Sequence, residues 1–187
     1  MEKKNYSYSF ILIGVIAGLT AILDYIGVMT FPFGFFGVSA FYIGAAFFTA
    51  FAIWFRWRAL IAMYIGLLIG ALISGTFTIF ALLLAWGNVI GAAIPMLIFN
   101  SKKLGLNKEL KKVKDYVAFI LTATICQNVI SAVWVLGGFV IFGIMPLEAL
   151  KMAMFGWILG GIAVTIIIGI PLLKFATPVV RKTSFSK

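Results

Sequence analysis

The composition of this chain excludes an ordinary water-soluble protein. It has 187 residues, of which 64% are hydrophobic and only 11% are charged, and a soluble domain of this size cannot bury so much apolar surface. The formal net charge of +10 would suggest nucleic-acid binding in a soluble protein, but here the basic residues lie between apolar segments, as membrane topology requires. We therefore predict an all-α integral membrane protein that binds no nucleic acid.

Six apolar segments are candidates for membrane-spanning helices, which need roughly 20 mostly apolar residues. They are Tyr8–Met29, Phe36–Phe55, Leu60–Ser74, Phe77–Phe99, Tyr116–Ile144 and Leu147–Phe175. Because the last two are long, we expect them to tilt, or to break at Gly137-Gly138 and Gly160-Gly161. The first segment is too long for the apolar region of a signal peptide and has no A-x-A cleavage site, so we expect it to be a retained helix.

The only long polar passage, Lys102–Asp115, orients this set of helices. It contains six lysines and two acids, and a short loop with this excess of lysine stays on the cytoplasmic side. With six helices, fourteen of the fifteen Lys and Arg residues lie on that side, and Lys151 is the exception. We predict a six-transmembrane-helix bundle formed by residues 1–187 as a single domain, multi-pass in the cell membrane, with both termini cytoplasmic.

Small residues on the first helix form a surface suited to close helix packing. Gly14, Ala17, Gly18 and Ala21 give interleaved G-x-x-x-G and A-x-x-x-A patterns, which let helix backbones approach each other in lipid. Two interpretations remain open. The surface packs within the bundle, or it is a partner interface for another membrane subunit.

Polar and tryptophan side chains gather toward the outer half of the predicted bundle. An intramembrane Asp costs about 3 kcal/mol on the insertion scale, so such residues indicate a function or an internal partner. Amides offer hydrogen-bond donors and acceptors to a small polar molecule, and indole rings stack on a cyclic ligand. The candidate substrate-binding residues are Asp24, Trp86, Asn88, Gln127, Asn128, Trp134, Glu148 and Trp157.

Structural explanations also exist for several of these residues. Asp24 would also be satisfied by interfacial water, Glu148 by the dipole of a helix N-terminus, and Trp134 by an aromatic belt. Gln127 and Asn128 are harder to explain in this way, because neighbours on a helix point about 100° apart and both amides need partners. Acids near the mouth favour a neutral or cationic, aromatic or heterocyclic ligand.

The residues needed for catalysis or metal binding are missing from the sequence. There is no histidine, and the single cysteine, Cys126, lies in an apolar run. The chain also has no H-E-x-x-H motif and no Walker loop. We therefore predict a binding protein without catalytic residues, metal or cofactor, and consider a membrane enzyme only a distant third possibility.

The layout resembles the substrate-binding S components of energy-coupling factor (ECF) transporters. In that family an A-x-x-x-A pattern on the first helix contacts the membrane coupling subunit, and Ala17 and Ala21 match this pattern. The resemblance implies six helices, cytoplasmic termini, and a vitamin-sized molecule bound near the outer face. It also implies that the ligand is passed on with a coupling subunit and ATPases.

A second resemblance supports a different function. The segments 31–34, 56–58 and 85–91, together with Trp157 and the later Pro171-Leu172-Leu173, look like parts of membrane-associated sensor domains that precede bacterial kinases and cyclases. Such domains normally feed a cytoplasmic output domain, whereas this sequence stops soon after its sixth apolar segment. A membrane sensory or interaction domain is therefore the alternative.

Overall fold

The computed structural model describes residues 2–30, 32–33, 35–39 and 41–183. Within these ranges the chain forms six continuous helices and one short antiparallel ribbon, in which Pro32 is paired with Ser39. The strands are β1 (Pro32–Phe33) and β2 (Phe35–Ser39). The helices are α1 (Glu2–Thr30), α2 (Gly44–Phe55), α3 (Trp57–Ile73), α4 (Ala81–Phe99), α5 (Val113–Ile141) and α6 (Leu147–Lys182).

Four of the helices are long and apolar enough to cross a membrane: α1 over Ser7–Thr30, α4, α5 and α6. Their outward surfaces carry large apolar side chains, and Phe10 and Phe175 are each 73% exposed. Such surfaces suit lipid rather than water. The protein thus has the features of a helical membrane protein. The apolar helices α2 and α3, with 12 and 17 residues, are shorter than an ordinary span.

The predicted start of the second helix is wrong. Residues 36–39 belong to β2, and the helix begins only at Gly44. Hydrophobicity indicated a long membrane segment here but did not identify its secondary structure. The nearby Pro32 and Gly37 and the β-branched Val38 all favour extended chain or turns over a helix.

The two long helices are irregular, but not at the paired glycines. The chain is helical through Gly137-Gly138 and Gly160-Gly161, so the predicted breaks at these positions are wrong. Instead, Ile120–Cys126 in α5 and Thr165–Gly169 in α6 form π-helical turns. Such turns often lie at functional sites, and the first one ends directly before Gln127.

Helices α1 and α3 run parallel and meet at two glycines. A Cβ atom on Gly66 would lie 2.5 Å from the Ala17 carbonyl oxygen, and one on Gly70 would lie 2.5 Å from Asp24 Oδ2. Both distances are below any normal contact, so the backbones approach this closely only because these residues are glycines. The matched order of the contacts shows that the two helices point the same way.

Helix α5 runs antiparallel to both α4 and α6. Gly87 and Gly91 of α4 pack against Trp134 and Gln127 respectively, so residue numbers increase along one helix as they decrease along the other. The Trp157 indole of α6 likewise donates a 3.0 Å hydrogen bond to Ser131 Oγ of α5. Helices α4, α5 and α6 therefore alternate in direction.

The polar loop folds onto the helix ends instead of extending away from them. Lys108 Nζ donates to the Ile53 carbonyl oxygen and to Asn100 Oδ1, both at 2.7 Å. Arg56, at the α2–α3 junction, donates to the same Asn100 oxygen at 3.0 Å. Burial and the charges of Arg56 and Arg181 lower the pKa of Lys108 to about 8. We call this region, residues 100–112 with the α2–α3 junction and the end of α6, the lysine-rich end.

Acidic side chains complete the lysine-rich end. Glu109 pairs with Lys111 at 2.8 Å and with Arg181 of α6 at 2.6 Å. Asp115 is fully buried and accepts backbone N–H hydrogen bonds from Asn107 and Lys112. The N-terminal half of α1 and the last part of α6 share one apolar cluster with this loop. The first and last helices therefore approach the same end of the bundle.

Candidate functional site

A cavity lies in the half of the bundle away from the lysine-rich end. It contains about 1080 Å³ of empty space including its open mouth, and residues from β2 and from all six helices line it. Most of the lining is apolar, with a few polar side chains among it. A concave, mostly apolar pocket with several converging polar groups is typical of small-molecule sites.

Asp24, near the end of α1, contributes a carboxylate to the cavity wall. It is only 9% exposed, and Tyr42 donates a 2.5 Å hydrogen bond to its Oδ1. Asp24 Oδ2 accepts no hydrogen bond from any residue that the structure describes. Tyr42 lies two residues before the start of α2 and also lines the cavity, so its hydrogen bond connects α1 to the segment that leads into α2.

Gln127 is held by α2. Its Oε1 lies 2.7 Å from the Thr49 hydroxyl, and its Nε2 donates to the Ala45 carbonyl oxygen at 3.3 Å. The side chain is buried and both ends of the amide are paired, so Gln127 joins two helices in addition to bordering the cavity. The sequence-based alternative that an intramembrane amide stabilises helix packing applies to this residue.

Asn128 is paired on one side only. Its Nδ2 donates to the Thr124 carbonyl oxygen of its own helix at 2.8 Å, while Oδ1 accepts nothing from the described residues. Gly161 of α6 packs so tightly against this amide that a Cβ there would lie within 2.4 Å of Asn128 Cγ. This glycine therefore leaves room for an amide that borders the cavity.

Asn88 of α4 also lines the cavity, and its amide makes no hydrogen bond with any described residue. Donors and acceptors on three elements are thus left for something else to pair with: the Asn88 amide, Asn128 Oδ1 and Asp24 Oδ2. Open polar atoms inside a low-dielectric bundle are costly unless water or a ligand satisfies them. Trp157, whose indole donates a hydrogen bond to Ser131, also lines this cavity.

The structure places three of the eight predicted site residues elsewhere. Trp86 is 44% exposed and packs against Tyr64, with ring centroids 4.9 Å apart. Trp134 is 46% exposed and donates to the Leu83 carbonyl oxygen at 3.0 Å. Glu148 is exposed in the first turn of α6, where its charge suits the helix dipole. The other five, Asp24, Asn88, Gln127, Asn128 and Trp157, line the cavity.

The small residues of α1 do not form one surface. Ala17 and Ala21 are 5% and 3% exposed inside the bundle, so both side chains pack within the chain. The predicted partner contact through these two residues is therefore wrong. Gly14 and Gly18 lie on the outer side of the helix, and a Cβ added to either would meet nothing within 4 Å. Of these four residues, only Gly14 and Gly18 lie on the surface of the described structure.

Tyr42 is the main site residue that sequence reasoning missed. It lay inside the predicted second helix, where a tyrosine gives no signal of its own. Ser39 and Ser131 were missed as well, because a single serine in an apolar segment is easily read as packing. A tyrosine that follows a Pro- and Gly-containing stretch was the available clue, since such stretches interrupt helices.

The cavity gathers several kinds of polar and aromatic side chains. They are one carboxylate, two partly paired or unpaired amides, hydroxyl groups and the three aromatic rings of Tyr42, Phe139 and Trp157. Among the residues that the structure describes, no three His, Cys, Asp or Glu side chains are grouped to hold a metal ion. The chain matches none of the family models, curated proteins or solved structures with which it was compared.

Proposed function

We propose that this protein is a membrane-embedded receptor for a small organic molecule and acts as the substrate-capturing subunit of a transporter of the ECF type. The observation that carries the proposal is the cavity, in which Asp24, Asn88 and Asn128 each present a polar atom that no described residue satisfies. A protein that only needed to pack in lipid would gain nothing from leaving these atoms open.

The proposed orientation has the lysine-rich end in the cytoplasm and the cavity in the outer half of the membrane. The clustering of Lys and Arg at one end of the bundle supports it through the positive-inside rule. All six helices lie in the membrane in this proposal. Helix α2 covers about 18 Å at 1.5 Å per residue, and the chain enters it through β2 and Tyr42.

Labelling of single cysteines tests this orientation. In a background with Cys126 replaced by alanine, Lys103→Cys places a thiol in the loop and Glu148→Cys places one at the opposite end, both at exposed positions. A membrane-impermeant maleimide added to intact cells should label Glu148→Cys only. Labelling of Lys103→Cys from outside would refute the orientation.

The partners in this proposal are the lipid bilayer, a membrane coupling subunit and its ATPases. Because Ala17 and Ala21 are buried in the bundle, the surface left for a coupling helix on α1 is the outer one that contains Gly14 and Gly18. Replacing either glycine with leucine should leave ligand binding intact and weaken assembly, since bulk there meets nothing within the chain itself.

Co-purification tests the function directly. The protein should be isolated in native lipid particles, and small molecules that leave on denaturation should be identified by mass spectrometry. We expect a defined organic molecule in wild type and its loss in Asn88→Leu, with Glu148→Gln as the matched control. A membrane kinase or cyclase recovered with the protein instead of ATPases would favour the sensory alternative.

A further inference from the structure

The charges around the cavity are unbalanced. Asp24 is the only Asp, Glu, Lys or Arg among the described residues that line it. The stretch 31–40, which precedes Tyr42, carries no charged residue in the sequence. The nearest basic residue along α6, Lys151, is exposed. No cationic side chain of the described lining therefore neutralises the carboxylate.

The described lining supplies no cation to stabilise a carboxylate in this position. Asp24 is almost fully buried, and its one hydrogen-bond donor is the neutral Tyr42 hydroxyl at 2.5 Å. A buried ion without an opposite charge is expensive, whereas a hydrogen-bonded ion pair recovers much of that cost. Tyr42 fixes the carboxylate through Oδ1, and Oδ2 remains without a donor.

Aromatic rings next to the carboxylate favour the same class of ligand. The Tyr42 and Trp157 ring centroids are 6.4 Å apart, with their planes tilted by 31°, and both residues line the cavity. Faces of tyrosine and tryptophan attract organic cations, most strongly where water is excluded. Trp157 is held in place by its hydrogen bond to Ser131.

We propose that the cavity binds an organic cation, such as a protonated amine attached to a ring, with Asp24 as its counter-ion and Tyr42 and Trp157 around it. This inference rests on the proposed function, because it names the substrate class of the same cavity. Asn88 and Asn128 then serve the uncharged polar groups of the ligand.

Three probes that share an indole ring test the charge preference. Tryptamine is cationic, tryptophol is neutral and indole-3-acetate is anionic at neutral pH. Their binding to the purified protein in lipid nanodiscs can be compared by saturation-transfer NMR and by titration. The variants are Asp24→Asn, which keeps the shape and an acceptor for Tyr42, and Glu148→Gln, which removes an acid that lies outside the cavity.

In wild type we expect tryptamine to bind at least about tenfold more tightly than tryptophol, because a hydrogen bond between charged groups contributes at least this much to affinity. Indole-3-acetate should bind most weakly of the three. The preference for tryptamine should disappear in Asp24→Asn and persist in Glu148→Gln. The order of the three probes in wild type keeps the test decisive if Asp24→Asn does not fold, because equal binding of tryptamine and tryptophol would already refute a counter-ion role for the carboxylate.

The failures of the two proposals can be told apart. Equal binding of the three probes, or an unchanged preference in a folded Asp24→Asn, would overturn the cation assignment and leave the receptor function standing. Binding of none of the probes, together with no small molecule on co-purification, would overturn both.

Discussion

The close contact between α1 and α3 allows a quantitative test of the fold. Replacing Gly66 with alanine would put a Cβ atom 2.5 Å from the Ala17 carbonyl oxygen and 2.5 Å from Thr20 Cβ. Because carbon and oxygen normally stay about 3.3 Å apart or more, the helices must separate by roughly 0.8 Å. One of these neighbours is backbone, so a rotamer change cannot relieve the overlap.

The expected cost follows from two opposing effects. Overpacking of this kind typically destabilises by 1–3 kcal/mol, whereas glycine to alanine within a helix contributes up to about 1 kcal/mol in the other direction. We expect Gly66→Ala to be about 1–2 kcal/mol less stable than wild type. Gly14→Ala is the matched control, because a Cβ there meets nothing within 4 Å, and it should be neutral or slightly stabilised.

Unfolding in mixed micelles with increasing SDS, followed by circular dichroism, measures this difference. The midpoint for Gly66→Ala should fall clearly below those of wild type and Gly14→Ala. If Gly66→Ala and Gly14→Ala unfold together, then α1 and α3 do not pack as described, and the position of Asp24 beside Gly70 is in doubt as well.

Three further changes probe the site and the lysine-rich end. Asn128→Leu should preserve folding but weaken ligand binding by about 1–3 kcal/mol through an unpaired polar group, as measured by titration with the co-purified molecule. Gly161→Ala should displace the Asn128 amide, since its Cβ would overlap Asn128 Oδ1, and should lower the affinity for the ligand by a similar amount. Unchanged affinity in both Asn128→Leu and Gly161→Ala would place the ligand elsewhere. At the other end, the hydrogen bond from Lys111 and the charge of Arg181 lower the pKa of Glu109 from 4.5. The contribution of Glu109 to the free energy of unfolding is therefore present above about pH 4.5, and it is lost as the pH falls through the lower pKa of the folded state. Glu109→Gln should therefore show a smaller loss of stability on acidification than wild type, as read from unfolding midpoints across that range; equal losses would contradict the role of this ion pair.

The length of each hydrophobic segment predicted the end of a helix well where the helix is apolar throughout, and less well where polar contacts extend it. Helix α4 ends at Phe99 as predicted, but α6 continues to Lys182, past the predicted end at Phe175. The extra turns carry Arg181, whose pairing with Glu109 no hydropathy pattern reveals. The predicted helix ended too early because the last turns of α6 are amphipathic and are held by a contact with the loop.

The sequence did not indicate the direction in which each candidate side chain points. Asn88 and Trp86 lie at nearly the same level of α4, yet one lines the cavity and the other faces outward. Two positions along a helix change direction by about 200°, so only the packing of neighbouring helices decides which of them faces inward. The close approach of Gly87 to Trp134 sets this rotation, and a single sequence does not disclose it.

The π-helical turn in α5 lies between the two ends of the molecule. It sits between Phe119, which packs with Phe99 in the apolar cluster next to the lysine-rich end, and Asn128, which meets Gly161 at the cavity. A wide turn is equivalent to one residue inserted into a regular helix, and it resets the rotation of everything that follows. An insertion or deletion within Ile120–Cys126 would therefore rotate the cavity-lining side chains of α5 without rebuilding the opposite end of the bundle.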